Sequence, residues 1–202
     1  MPRIAGQIDQ AKTEAILDAA VQVFTERGFA APMEEIARRA CVSKQTIYNH
    51  YGGKAELVRA LAQRRVHQVT APLEAADAAE NPRDALAGYA RILLEAVATS
   101  SSLGFMRLAV QSAVDMPEVG RAMYEAGPKA SAERLAEFLA QEDRAGRLAV
   151  PDPLLAAEIF RGMAIGSLQI AGLLGMTRDL SPDEIGRISE EAADRFMKAY
   201  GR

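Results

Sequence analysis

The stretch Met33–Lys54, which reads MEEIARRACVSKQTIYNHYGGK, predicts two short helices separated by a tight turn. In the first helix, Ile36, Ala37 and Ala40 share one face at helical spacing. In the second helix, Ile47 is the only clearly apolar residue that points inward. A helix anchored by so little apolar surface is expected to be exposed so that it can contact a partner. Its mixture of hydrogen-bond donors and acceptors suits nucleic acid.

The turn between these two helices is Cys41-Val42-Ser43. Ser43 is a good N-cap for the second helix, because its hydroxyl can accept a hydrogen bond from an unpaired backbone N–H of the first turn. We therefore predict a helix-turn-helix over residues 33–51, with Lys44–His50 as its recognition helix.

A resemblance to a known family extends beyond this stretch. Ile16–Ala30 reads ILDAAVQVFTERGFA, and Met33–Leu61 reads MEEIARRACVSKQTIYNHYGGKAELVRAL. Four elements recur in order with the right gaps: I-L-x-A-A…F-x-E-x-G-F, I-A-x-x-A, V-S-x-x-T-I-Y-x-H-Y and G-K-x-E-L. Over residues 10–65 the chain closely resembles the N-terminal domain of the TetR family of bacterial transcriptional regulators. The resemblance implies a DNA-binding head, a connecting helix, a ligand-binding body, and dimers that pair the last two helices into a four-helix bundle.

Three positions depart from the pattern of that family. The connection Ala31-Pro32 is shorter than usual, Cys41 stands where the family usually has Gly, and Gly53 replaces the usual polar residue before Lys54. These departures concern the geometry of the loops. Cys41 is expected to be a small packed residue, because only Arg38 and Arg39 are near enough in sequence to lower the pKa of its thiol. A redox role for this thiol is the alternative.

The composition describes a globular protein. Of the 202 residues, 49% are hydrophobic and 25% are charged, which excludes a disordered chain. A single cysteine excludes an internal disulfide, and the N-terminal segment lacks the apolar core of a signal peptide, so we expect a cytoplasmic protein. The longest nearly apolar run, Gly162–Met176, is too short to span a bilayer.

The charge is divided unequally along the chain. Residues 1–65 hold ten Lys or Arg against seven Asp or Glu, a formal +3, whereas the remainder holds 14 against 20, a formal −6. The basic part coincides with the helix-turn-helix, so the net charge of −3 is compatible with DNA binding. Because the excess of positive charge over residues 1–65 is small, we expect the affinity for DNA to depend on a few specifically positioned contacts from each chain of a dimer.

The whole chain reads as helices, about nine or ten of them, with no strand pattern. We predict an all-α fold with a DNA-binding head over residues 1–53, a connecting helix over 54–71 and a body over 72–202. Met1–Gln10 is expected to be a mobile arm. The expected features of the body are a helix Leu103–Val114 capped by Ser101 or Ser102, a kink at Gly127-Pro128, a long helix from Asp152-Pro153 to Leu174, and a last helix from Ser181 to Tyr200.

The recognition helix offers two kinds of DNA contact. Gln45 and Asn49 can bond adenine bidentately, and Thr46 can meet a thymine methyl, so these three are the predicted base readers. Side chains that bring a charge or a single hydroxyl are better suited to phosphates, and the resemblance points to the same positions. The predicted phosphate contacts are Thr13, Ser43, Lys44, Tyr48, His50 and Lys54. For His50, and more so for the following Tyr51, the alternative is a core aromatic of the head.

The last two long helices are the candidate dimer interface. One short recognition helix reads too few base pairs for useful specificity, so a two-fold dimer on an inverted repeat is expected. Small and large apolar residues alternate in these helices, although ordinary core helices show the same pattern. The candidate interface residues are Phe160, Gly162, Met163, Gly166, Ile170, Ile185, Ile188, Ala192 and Phe196.

The resemblance, and not the residue spacing, implies a ligand cavity in the body. Adaptable apolar walls and a few polar anchors would suit a hydrophobic or aromatic effector, although each such residue by itself is more often plain core. The candidate lining residues are Phe105, Met106, Ala109, Gln111, Ser112, Met116, Met123, Tyr124, Phe160, Met163, Ser167 and Gln169.

No motif for catalysis or for a cofactor is present. The sequence contains no P-loop, no G-x-S-x-G and no G-x-G-x-x-G, and Cys41, His50 and His67 form no metal-ligand pattern. We therefore predict a DNA-binding transcriptional regulator without a cofactor, most simply a repressor released from a palindromic operator by a small ligand. Two alternatives remain open: a ligand-independent DNA-binding or architectural protein, and a helical scavenger or enzyme with a vestigial head.

Overall fold

The computed structural model describes residues 10–176 and 179–202, in which helices form almost all the regular structure. The expected N-terminal arm, apart from its last residue, lies outside the described part. Three helices form the head and a fourth leads out of it: α1 (Gln10–Arg27), α2 (Met33–Arg39), α3 (Lys44–Tyr51) and α4 (Lys54–Thr70).

The body follows a short 3-10 turn at Ala71–Leu73. The described residues contain no β-strand, and the all-α prediction is confirmed. The helices of the body are α5 (Pro82–Ala98), α6 (Ser100–Ser112), α7 (Pro117–Tyr124), α8 (Ala130–Arg144), α9 (Pro153–Ile165), α10 (Leu168–Leu173) and α11 (Pro182–Tyr200).

Local capping signals explain where several helices begin. The Ser181 hydroxyl accepts from the backbone N–H of Glu184 while the Glu184 carboxylate accepts from the backbone N–H of Ser181, a reciprocal capping box that starts α11. Asp152 caps α9 by accepting from the backbone N–H of Leu155 at 3.0 Å. The sequence predicted both starts, because each depends on residues within one turn of the cap.

The predicted long helix from Asp152-Pro153 to Leu174 is wrong, because the chain breaks at Gly166. Gly166 adopts φ 50°, in the left-handed region that favours glycine, and its N–H donates to the Gly162 carbonyl at 2.9 Å. A second short helix, α10, then begins at Leu168. The break changes the direction of the chain close to the end of the exposed face of α9.

One other predicted helix start shifts. Thr99, with φ −88° and ψ 149°, is the N-cap of α6, so the helix begins at Ser100, three residues before the predicted Leu103. Pro32 lies just outside α2 in an extended conformation, with φ −71° and ψ 146°, and Met33 is the first helical residue.

The predicted kink at Gly127-Pro128 is a single π-helical turn, Glu125–Lys129. This turn accommodates Pro128, which lacks a backbone N–H, while the chain stays helical from Pro117 to Arg144. The π-turn packs against α4, the helix that leaves the head. An irregular segment of the body therefore lies directly on the connecting helix.

Two clusters of buried side chains hold the protein together. The body core is built mainly from α5, α8, α9 and α11, with Phe160 and Phe196 at its centre. The head core contains Phe24, Ile36 and Ile47, all fully buried. The head core also includes residues of the α6–α7 segment, among them Ala109, and is thus completed by the body.

No single described helix is long and apolar enough to cross a bilayer. The pair Pro82–Ala98 and Ser102–Ser112 reaches the required length and apolarity only when both helices are counted together, and they diverge by 63°.

Candidate DNA-recognition surface

Three residues hold the recognition helix α3 on the head. Ser43, with φ −75° and ψ 150°, caps the helix by accepting from the backbone N–H of Thr46 at 3.0 Å. Ile47 is fully buried and Tyr51 is 9% exposed, so only these two side chains anchor α3 in the head core. Almost all the other side chains of α3 are exposed, as the polar sequence predicted.

The turn before α3 contains an unusual backbone conformation. Cys41 has φ 53° and is the only described non-glycine residue with positive φ. Its side chain is exposed, so the expectation of a packed thiol is not met. The next residue, Val42, donates its N–H to the Ala37 carbonyl at 3.0 Å and closes the C-terminus of α2. The left-handed conformation explains why a glycine suits this position, and it places strain on the cysteine.

The predicted base readers lie on one edge of α3, where Gln45 and Asn49 are exposed and Thr46 is half-buried. The Gln45 side-chain amide donates to the Asn49 side-chain oxygen at 2.6 Å, across one helical turn. The hydroxyl of Thr46 lies 2.7 Å from that of Ser43. In the free protein these groups therefore satisfy one another, and base edges would have to replace the Gln45–Asn49 bond. Two amides this close together can read neighbouring bases.

The predicted phosphate contacts on α3 surround this edge. Lys44 forms an ion pair with Glu34 of α2, and its ammonium lies 5.5 Å from the centre of the Tyr48 ring. The hydrogen bond from Lys44 lowers the pKa of Glu34. Tyr48 is 38% exposed. Lys44 and Tyr48 thus form one polar cluster beside the base readers, and a carboxylate partly neutralises it.

His50 and Tyr51 differ in burial although their rings are in contact. The two rings meet edge-on with centroids 4.5 Å apart. His50 is exposed, which is compatible with a phosphate contact, whereas Tyr51 is a core aromatic. Burial raises the pKa of Tyr51, whose hydroxyl has no hydrogen-bond partner within the described part of the chain.

Two further predicted phosphate contacts lie outside α3. Thr13 is half-buried in the first turn of α1. Lys54 is the first residue of α4, where Gly53 supplies no side-chain cap, so the first N–H groups of α4 are open to an anion. Partial burial lowers the pKa of Lys54, and the nearby carboxylate of Glu118 in α7 opposes that shift. Lys54 thus sits where the head, α4 and the body meet.

An ion pair fixes the other half of the helix-turn-helix. Arg39 of α2 donates through both terminal nitrogens to the carboxylate of Glu26 in α1, at 2.7 and 2.8 Å. This two-fold hydrogen bond lowers the pKa of Glu26. Because the geometry is bidentate, it orients α2 against α1 more firmly than a single surface contact. The ion pair therefore holds α2, the first helix of the helix-turn-helix, against α1.

The sequence did not predict a cleft that lies in the body. It measures about 610 Å³ and lies between the end of α4 and α8. Arg134 of α8 donates to the Thr70 hydroxyl and to the Glu74 carboxylate, each at 3.2 Å, across one side of this cleft. None of the predicted pocket residues lines it. Its lining residues are His67, Thr70, Leu73, Glu74, Ala75, Ala78, Ala79, Arg134, Glu137, Phe138, Gln141 and Glu142.

The twelve predicted pocket residues lie in several places. Those that pack on the head core are Phe105, Ala109, Met116 and Met123. Phe160 is at the centre of the body core, and Tyr124 is 62% exposed. The others, which are partly buried or exposed, are Met106, Gln111, Ser112, Met163, Ser167 and Gln169. Their role in ligand binding stays a prediction.

The predicted dimer residues divide by burial. Phe160, Ile185, Ala192 and Phe196 are buried within the chain, so they support the surface from beneath and offer no area to a partner. The members that reach the surface are Gly162, Met163, Gly166, Ile170 and the half-buried Ile188. Leu155 and Ile159 were not among the predicted residues, and they are 57% and 41% exposed on the same helix at a four-residue spacing.

A groove of about 520 Å³ runs beside this exposed face, between α9 and α11. Met163 lies on one wall and Ile188 and Ala192 lie on the other, with charged residues along the rim. No group of three or more potential metal ligands occurs in the part of the chain that the structure describes.

The fold and this surface define a helix-turn-helix DNA-binding protein with a separate helical body. The family model described as "Bacterial regulatory proteins, tetR family" matches residues 16–61. The model described as "AefR-like transcriptional repressor, C-terminal domain" matches residues 84–202. The chain therefore belongs to the TetR family of bacterial transcriptional regulators, as the sequence predicted.

Named relatives and solved structures agree with this assignment. The transcriptional activator FasR of Mycolicibacterium smegmatis is 52% identical over 52 residues, 25% of this chain and 24% of FasR. The repressor LfrR of the same species is 38% identical over 85 residues, 42% of this chain and 44% of LfrR, so less than half of either relative is spanned. The flavonoid-responsive regulator FrrA superposes with a TM-score of 0.71 and 30% identity, covering 96% of this chain and 98% of FrrA. A TetR-family regulator from Mesorhizobium loti gives a TM-score of 0.75 and 26% identity, with coverage of 96% and 100%.

Proposed function

We propose that this protein is a cytoplasmic transcriptional repressor, without enzymatic activity, that binds an inverted-repeat operator as a homodimer. The observation that carries the proposal is the outer edge of α3, where the exposed Gln45 and Asn49 and the half-buried Thr46 lie beside Lys44 and Tyr48. The amides supply base readout, and the flanking groups supply phosphate contacts. The match to a family described as transcriptional repressors supports the sign of regulation.

The exposed face of α9 supports the homodimer. Leu155, Ile159 and Met163 are spaced four residues apart and are each at least 38% exposed. A Cβ added at Gly162 would meet nothing within 4 Å in this chain, so the chain's own packing does not require a glycine there. A second copy packed against this face would cover the apolar stripe and could approach closely at Gly162. A two-fold dimer would present two copies of α3 to successive major grooves.

Contacts between α4 and the body supply a route by which a ligand would act. Arg59 of α4 donates to the Glu125 carboxylate of the π-turn at 3.2 Å. A ligand that prefers one arrangement of the body would shift the position of α4, and with it the separation of the two α3 helices. The response of FrrA to flavonoids favours an aromatic or hydrophobic effector for this chain as well.

The proposal is tested by selection of bound duplexes from a random pool with the purified full-length protein. We expect enrichment of an inverted repeat whose half-sites lie about one helical turn apart. Two chains should bind each duplex, as measured by native mass spectrometry. Enrichment of no sequence, with binding that disappears as salt is added, would reduce the head to a nonspecific phosphate-binding surface.

The ligand response is tested on the selected duplex. A flavonoid such as naringenin is added to the complex, and the fraction of bound DNA is followed by fluorescence anisotropy. Release of the duplex at a flavonoid concentration that leaves a helix-turn-helix protein of another family bound would support the ligand-responsive repressor. If the operator affinity is indifferent to a broad panel of aromatic and aliphatic molecules, the protein is a ligand-independent DNA-binding protein.

A further inference from the structure

Arg161 of α9 is the least exposed arginine in the described part of the chain, at 9% of its surface. Its Nη1 donates to the hydroxyl of Tyr89 on α5 at 3.0 Å. That hydroxyl lies 2.9 Å from the hydroxyl of Ser131, near the start of α8. Tyr89 is fully buried and Ser131 is 4% exposed, so the guanidinium reaches into the interior of the body between three helices.

Within the described part of the chain, this buried guanidinium has no counter-charge. No carboxylate of residues 10–176 or 179–202 lies within ion-pairing distance of Arg161. Arg83, which is more exposed, shows the usual arrangement: it pairs with Asp84 at 3.0 Å, with Asp194 at 2.9 Å and also with Glu190. A buried cation without an anion is penalised by lost hydration, and one phenol hydroxyl does not compensate for a full charge.

The unused hydrogen-bond donors of Arg161 define what would complete the site. A guanidinium carries five N–H groups in a planar fork that fits the two oxygens of a carboxylate. In this structure only one nitrogen of Arg161 donates to a described protein group. The body core around Arg161 is apolar, and it includes Ala157, Phe160 and Ala164 of the same helix.

We propose that Arg161 binds the carboxylate of an amphipathic organic acid, with Tyr89 as a second polar contact and the apolar body core around the rest of the molecule. This inference rests on the proposed function, in which the body holds the effector, and it names the chemical class of that effector. It adds a carboxylate to the hydrophobic or aromatic ligand expected from the sequence.

The position of Ser131 connects this site to the DNA-binding head. Ser131 lies two residues after the π-turn Glu125–Lys129, and Glu125 of that turn pairs with Arg59 of α4. An anion that draws Tyr89 and Arg161 toward itself changes the hydroxyl contact with Ser131. A shift of Ser131 would act on the adjacent π-turn, and the Glu125–Arg59 contact would pass it on to α4.

The first arm of the test measures the melting temperature of the unliganded protein. Arg161→Met removes the uncompensated charge and keeps most of the side-chain volume, so we expect its melting temperature to rise by about 2 °C or more. The control, Arg91→Met, removes an arginine that is exposed on α5 and is expected to leave the melting temperature unchanged within about 1 °C. A melting temperature that falls in Arg161→Met shows that Arg161 is a structural residue and overturns the proposal.

The second arm compares acids with their own neutral amides at constant ionic strength. Octanoate and 4-phenylbutyrate are each tested against octanamide and 4-phenylbutyramide. We expect at least one acid to raise the melting temperature of the wild type more than its amide does, and we expect Arg161→Met to abolish that difference. In Arg161→Lys, which keeps the charge but loses the fork, the difference should be smaller than in the wild type. Equal effects of acid and amide, or no effect of either acid, overturn the proposal.

Operator binding separates this inference from the proposed function. The affinity of wild type and of the control Arg91→Met for the selected duplex is measured without any acid, and we expect the two to agree within about twofold, since Arg91 is exposed on the body. If neither protein selects DNA, the regulator proposal fails while the melting experiment still decides the role of Arg161. If both bind DNA and the acid-specific shift is absent, only the anionic effector is lost.

Discussion

The ring of Phe105, on α6 of the body, lies edge-on against the ring of Phe29 near the start of the α1–α2 connection, with centroids 5.2 Å apart. Phe29 is fully buried and also contacts Phe24 of α1, at 4.7 Å between centroids. The core of the DNA-binding head is therefore closed by a residue of the body. A movement of α6 would therefore displace side chains of the head core directly, in addition to any effect transmitted through α4.

Phe105→Ala is expected to weaken this junction. Loss of the partly buried ring should lower the free energy of unfolding by about 2 kcal/mol, below the range for a fully buried phenylalanine. Urea denaturation monitored by circular dichroism measures the change. Val110→Ala, on the same helix and 59% exposed, is the matched control and should change stability by less than about 0.5 kcal/mol. Equal stabilities of Phe105→Ala and the control would show that the contact between Phe105 and Phe29 does not stabilise the packing of the body on the head.

Glu34→Gln is expected to strengthen DNA binding. The change removes a carboxylate beside the recognition helix and releases Lys44 from its ion pair. We predict that the affinity for operator DNA rises by about twofold to fivefold at low salt, and by less as salt is added. The pair between Lys129 of the π-turn and Glu133 of α8 provides the control, since Glu133→Gln breaks a similar pair far from α3 in sequence. An unchanged affinity in Glu34→Gln would mean that Lys44 does not contact DNA.

Cys41→Gly is expected to stabilise the head. The left-handed conformation of Cys41, with φ 53°, costs an L-residue about 1 kcal/mol, which glycine avoids in part at the expense of a more flexible unfolded chain. We predict a gain of roughly 0.5 kcal/mol in the free energy of unfolding, and a loss for the β-branched variant Cys41→Val. Cys41→Ala, which keeps a Cβ, is the control for removal of the thiol. A loss of stability in Cys41→Gly relative to Cys41→Ala would contradict this account of the turn.

Ile159→Glu is expected to separate the proposed dimer. It places a charge in the middle of the exposed apolar stripe of α9, where burial against a second copy would remove its hydration. Sedimentation velocity should show a shift from dimer to monomer, with operator affinity falling at least tenfold because two half-sites are no longer bound together. Val114→Glu, at a residue that is 85% exposed and outside the stripe, should leave the dimer intact. A dimer that survives Ile159→Glu would place the interface elsewhere.

Local signals made much of this fold predictable. Ser43, Asp152 and Ser181 each start a helix through contacts within one turn, and α4 begins at Lys54 and ends at Thr70 as expected. Gly166 was harder to interpret, because an apolar helical pattern continues on both sides and only the backbone shows the left-handed conformation. Sequence patterns predict the hydrogen bonds between near neighbours in a helix, and here they gave no sign of the break between α9 and α10 at Gly166.

The tertiary arrangement was less predictable. Phe105 and Met123 are residue types that often line ligand pockets, but in this structure they pack on the head core. The periodicity of a helix shows which face is buried, and it does not show whether that face joins the head core or the body core. Arg161 gave a usable signal that the sequence reasoning did not exploit, since it is a lone charge on the buried side of an apolar helix. Its lack of an anion became apparent only from the three-dimensional contacts.

The measurement that tests the central claim most directly is the ratio of dissociation constants for the selected operator and for a scrambled duplex of the same length and composition. We predict a ratio of about 10³ or more for the wild type. In the double variant Gln45→Ala/Asn49→Ala the ratio should collapse, because base readout is lost while phosphate contacts remain. Tyr48→Phe should instead weaken binding to both duplexes and preserve most of the ratio. A wild-type protein that binds the two duplexes equally, or a double variant that keeps the full ratio, would contradict the assignment of α3 as the helix that reads DNA.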